Sequence, residues 1–73
     1  MAITIKLKNG LDAWEERWLV KNIGPRLHYI HNSIGGQGWL AKQQWDPGVS
    51  NRYWTLTFEN ESYASFFLIK FPQ

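Results

Sequence analysis

The chain of 73 residues contains no cysteine, a single methionine and only three prolines. Without cysteine there is no disulfide framework and no thiolate metal site, which fits a reducing cytoplasm. Long apolar runs are missing too. The longest, Phe66-Phe67-Leu68-Ile69, is far too short to span a bilayer. The opening Met1-Ala2-Ile3-Thr4-Ile5-Lys6 lacks a basic region followed by an apolar stretch, so no secretion signal is expected. Charge is scarce and nearly balanced: eight Lys and Arg against six Asp and Glu leave +2. The cations are scattered along the chain, whereas dedicated nucleic-acid binders cluster them on one face.

Aromatics, in contrast, are abundant. Five tryptophans stand in this short chain: Trp14, Trp18, Trp39, Trp45 and Trp54. Burying one aromatic removes roughly 150–250 Å² from water, and a domain this small has little other means of stabilisation. Tryptophan is also the residue most enriched in binding hot spots. With 44% hydrophobic and 19% charged residues, the composition is that of a single folded domain over residues 1–73.

Ile3, Ile5 and Leu7 alternate with Thr4, Lys6 and Lys8, a period of two that predicts a half-buried strand ending at Asn9-Gly10. Asp12 and Glu15 have capping-box spacing and open a helix. Leu11, Trp14 and Trp18 lie along its stripe, with Leu19 and Ile23 beside them, and Gly24-Pro25 stops it. For residues 25–36 two readings compete. A second short helix, favoured here, would start on Pro25, place Leu27, Ile30 and Ile34 on one face and end at Gly35; a strand is the alternative. Gly35-Gly36-Gln37-Gly38 then forms a flexible joint. Residues 39–45 and 53–58 read as two strands of an antiparallel hairpin across the turn-rich loop 46–51. Asn60 caps a final helix carrying Ala64, Phe67, Leu68 and Phe71, although residues 66–71 could also form an edge strand.

The expected fold is therefore α+β, a small two-layer domain in the order β-α-(α)-β-β-α. Its sheet would be three-stranded and mainly antiparallel, with helices on one face and residues 53–58 in the centre.

No residue set carries a catalytic signature, and neither a cofactor nor a metal is expected. His28 and His31 would be neighbours on a helix, but they lack a third ligand at metal-binding spacing. Gly35 to Gly38 lacks the Lys-Ser/Thr of a phosphate loop and is better read as a hinge. The serines stand in no nucleophile elbow. Binding is the remaining class. Trp39 and Trp54 fall on the inward phase of strands and read as core. Trp14 and Trp18, on a stripe broader than one sheet contact needs, and Trp45, beside the long loop, are the candidate protein-binding residues. Lys6, Lys8, Lys42, Arg52 and Tyr53 are the alternative set, a basic platform for RNA or single-stranded DNA. A homodimer is a further possibility. No membrane partner is expected.

Three segments carry a resemblance over the whole chain: Trp18-Leu19-Val20-Lys21-Asn22-Ile23-Gly24-Pro25-Arg26, Ile34-Gly35-Gly36-Gln37-Gly38-Trp39, and Trp54-Thr55-Leu56-Thr57-Phe58-Glu59-Asn60-Glu61. The chain resembles small proteins of about this length carried by tailed phages, especially T4-like phages of cyanobacteria. The resemblance implies an accessory product acting in the cytoplasm of the infected cell, binding and redirecting a host or phage protein. It assigns no active residues.

Overall fold

A computed structural model describes residues 2–7, 10–30, 32–48 and 51–73, with backbone alone at 46 and 51. Five strands and two helices follow one another as β1 (Ile3–Leu7), α1 (Ala13–Asn22), β2 (Arg26–Ile30), β3 (Ser33–Gly36), β4 (Trp39–Asp46), β5 (Asn51–Phe58) and α2 (Glu61–Lys70). The strands form one antiparallel sheet in the order β1-β5-β4-β3-β2. The α+β class holds, but the expected three-stranded sheet does not: the sheet has five strands and β4, not β5, is central.

The two additional strands come from residues 25–36, where the favoured helix is replaced by a hairpin. Two neighbouring glycines oppose a helix by about 1 kcal/mol each, and Gly35 and Gly36 lie inside β3. There the missing side chains are filled by aromatic rings from the neighbouring strands. A Cβ on Gly35 would sit 1.9 Å from the His28 imidazole, and one on Gly36 would sit 2.1 Å from the Trp39 indole. Because successive strand residues face opposite sides, these rings cover opposite faces of the sheet. Trp39 is held in place by its Nε1, which donates to the Gly24 carbonyl at 2.8 Å. The expected flexible joint at residues 35–38 is instead part of β3 followed by a tight Gln37-Gly38 turn, where Gly38 takes φ +87°. Such a φ favours glycine.

Both helices start as their caps require. The Asp12 carboxylate accepts from the Glu15 amide at 2.9 Å, while Glu15 Oε1 accepts from the Asp12 amide at 3.1 Å. The Asn60 side chain accepts from the Ser62 amide at 2.8 Å, and the helix it opens runs through residues 66–70 with Phe71 as C-cap, so this segment is not an edge strand. No helix among the described residues is long and apolar enough to cross a membrane.

The core lies between the helices and one face of the sheet. Leu7, Leu56, Phe58, Trp39 and Ala41 from the strands meet Leu19 of α1 and Ala64 and Phe67 of α2. Each fully buried large side chain contributes roughly 1.5–3 kcal/mol. Phe67 is the junction, 5.6 Å from Phe58, 5.9 Å from Trp18 and 5.2 Å from Phe71 between ring centroids. The helix stripe expected through Trp14 is rotated by one position: Glu15 and Leu19 are buried, Trp18 is half-buried, and Trp14 faces outward.

Candidate partner-binding groove between the helices

On a helix, positions i, i+3, i+4 and i+7 share one face. In α1 these are Trp14, Arg17, Trp18 and Lys21, two indoles interleaved with two cations. Trp14 remains 71% exposed, with the Arg17 guanidinium 5.5 Å from its ring centre. That distance lies within cation–π range, so Arg17 covers part of the indole while its charge stays in water. Trp18 leans inward and meets Phe67 and Phe71 edge-on, the latter at 6.0 Å and 89°.

The last turn of α2 completes the site. Lys70 and Phe71 join Trp14, Arg17, Trp18, Lys21 and Asn22 around an open groove of about 620 Å³. Its floor is aromatic and its rim carries three cations, with no carboxylate among the lining residues. Among the described residues none of Arg17, Lys21 and Lys70 is engaged in an ion pair; the one between described side chains joins Arg26 to Glu16 at 3.1 Å, on the other flank of α1. The groove therefore presents three cations without an ion-pair partner among the described residues beside apolar surface, although Lys70 also borders a recess with Asp12 and Glu15; the combination attracts an acidic group attached to an apolar one.

The structure brings Trp14 and Trp18 together and sets Trp45 apart. Trp45 is 56% exposed and lines a smaller recess with Asn32, Gln43, Gln44 and Arg52. The Arg52 guanidinium lies 5.7 Å from the Trp45 ring centre. Arg17, Lys21, Lys70 and Phe71 were not among the sequence-derived candidates. Their signal was the interleaving of indoles and cations at helical spacing in residues 14–21; the contribution of α2 required the tertiary contact.

The alternative nucleic-acid set is divided. Lys6 pairs in register with Thr55, which pairs with Lys42, so the two lysines flank one hydroxyl on the open sheet face. Tyr53 shares that face, with Lys6 Nζ 4.6 Å from its ring centre. Arg52, next to Tyr53 on the strand, points to the opposite face beside Trp45. Lys8 lies outside the described residues. His28 sits over Gly35 on the open face, and His31 lies outside the described residues. The helix expected around His28 is replaced by a strand over residues 26–30. No cluster of three metal-ligating side chains occurs among the described residues.

Compared with known protein families, curated proteins and solved structures, the chain matches none at a significant level.

Proposed function

We propose that the chain is a non-enzymatic binding module that engages a partner protein, host or phage as the resemblance implies, through the groove between α1 and α2. In this reading it acts in the cytoplasm of the infected cell. The partner surface contributes an acidic side chain to the rim formed by Arg17, Lys21 and Lys70, and an apolar one to the floor formed by Trp14, Trp18 and Phe71.

The observation that carries the proposal is the solvent exposure of Trp14 beside cations that form no ion pair among the described residues. An outward indole adds little to the fold and leaves apolar surface in water, which on a small domain marks a contact. Tryptophan and arginine together are the residues most enriched in binding hot spots. The open sheet face supports the nucleic-acid alternative less well: its one tyrosine is already covered by Lys6, and stacking platforms use two or three free rings.

Affinity capture from host lysate tests the reading with three forms: Trp14→Ala, Trp45→Ala and the double variant Lys6→Ala/Lys42→Ala. A protein partner held by wild type is expected to be lost with Trp14→Ala and kept by the other two, while the Trp14→Ala melting curve stays unchanged. Recovery of nucleic acid alone, lost at high salt and with the lysine variant, would move the function to the sheet face. Loss with Trp45→Ala alone would move it to the far recess.

A further inference from the structure

The two edges of the sheet are protected differently. An edge strand exposes unpaired backbone donors and acceptors, and soluble proteins guard such edges with charge, especially lysine. On β1 the exposed positions are the polar Thr4 and Lys6, and Ile3 and Ile5 turn toward the core. On β2 every residue is exposed, including Leu27 at 68%, Tyr29 at 66% and Ile30 at 62%. Its one formal charge, Arg26, is neutralised within the chain by Glu16 at 3.1 Å. A register shift between Arg26 and His28 irregularises only the start of the strand; residues 28–30 pair regularly with β3.

From this asymmetry we propose that β2 is a self-association edge, on which the occupant is β2 of a second copy of the same chain. An antiparallel pair related by a two-fold axis is self-complementary: each edge supplies the donors that the other lacks. The neutral edge lets two copies approach without repulsion, unlike the cationic groove. The lysine-bearing β1 edge opposes head-to-tail pairing of β1 with β2, so association closes at a dimer and does not propagate into a filament. The product is a continuous ten-stranded sheet in which Leu27, Tyr29 and Ile30 of each copy lose water contact. A contact built on one strand of five residues is smaller than the roughly 800 Å² per partner of a standard interface, so the dimer is weak and concentration-dependent. The inference does not depend on the groove, which lies on other elements.

Sedimentation velocity over a concentration series up to about 1 mM tests it, together with single cysteines placed in the otherwise cysteine-free chain. Wild type is expected to shift from monomer to dimer. Ile30→Lys is expected to raise the dissociation constant at least about tenfold by removing apolar contact and opposing like charges, with an unchanged melting curve. Under oxidising conditions, cysteine substitutions at positions 27–30 are expected to give disulfide-linked dimers at one or more sites, and Thr4→Cys on β1 none. A chain that stays monomeric throughout, a dimer indifferent to Ile30→Lys, or cross-linking as efficient through position 4 as through β2 would overturn the proposal. Trp14→Ala is expected to dimerise like wild type, which separates failure here from failure of the groove reading.

Discussion

One row of paired residues crosses the whole sheet and meets two fates. Ile5, Leu56, Ala41, Ile34 and Tyr29 are successive cross-strand partners on the helix side. Leu56 and Ala41 are completely buried, Ile34 is still covered, and Tyr29 is two-thirds exposed. The strand conformation and the face are the same throughout. What changes is the cover: α2 packs over β1 and β5, whereas every residue of β2 stays exposed and α1 reaches it through the Glu16–Arg26 ion pair. Position on a face therefore decides which residues can be buried, whereas the helices decide which residues are.

The largest expected contrast comes from truncating one aromatic in each half. Phe67→Ala removes the ring joining Phe58, Trp18 and Phe71 and is expected to cost about 3–5 kcal/mol. That is comparable with the lower end of a small domain's total stability, so cooperative unfolding followed by circular dichroism should weaken severely or vanish. Tyr29→Ala should stay within about 0.5 kcal/mol of wild type. Similar losses at the two positions would mean that β2 is covered in solution, as the dimer requires at high concentration; the measurement therefore belongs at low micromolar protein.

A smaller contrast lies between adjacent glycines. Gly36→Ala forces the buried Trp39 ring aside and disturbs its bond to the Gly24 carbonyl, for an expected cost of about 1–3 kcal/mol. At Gly35 the atoms nearest an added Cβ all belong to His28, whose exposed imidazole can swing into water, so Gly35→Ala should cost distinctly less. Urea melts of the two variants measure the difference, and equal destabilisation would place His28 as firmly as Trp39.

The smallest effect concerns Glu15, the one charged side chain among the described buried residues. Burial pushes its carboxyl above the ordinary range; the Asp12 backbone hydrogen bond opposes this, and the Asp12 charge adds to it. The folded chain thus holds the proton more tightly than the unfolded chain does. The resulting stability is fully present below the ordinary glutamate value of about 4.3 and is lost as pH rises through the raised folded value. Glutamine keeps the acceptor for the Asp12 amide without ionising. Glu15→Gln is therefore expected to be at least as stable as wild type at neutral pH, with the gap narrowing toward about pH 4. Thermal melts at both pH values check it, and a variant clearly weaker at neutral pH would show the charge to be a net stabiliser at the start of α1.

Much of the fold was legible because it is encoded locally. The alternation in Ile3–Leu7, the Asp12–Glu15 box, the Gly24-Pro25 stop and the Asn60 cap each specify backbone conformation through near neighbours. Residues 25–36 were not legible in this way. Leu27, Ile30 and Ile34 suit a helical face as well as a strand, and their glycines find aromatic cover only after β2 and β4 flank β3. Likewise, Trp14 and Trp18 could be named from the chain alone, but Lys70 and Phe71 join them only when α2 docks beside α1.

Local sequence was enough for the α+β class, the N-caps of both helices, the inward phase of Trp39 and Trp54, and the exclusion of any disulfide. Long-range packing set the sheet at five strands among the described residues, turned Trp14 to water while burying Glu15, and left β2 as an exposed edge. Caps and alternation depend on contacts a few residues apart, whereas strand count and burial depend on which distant segments come to lie over one another.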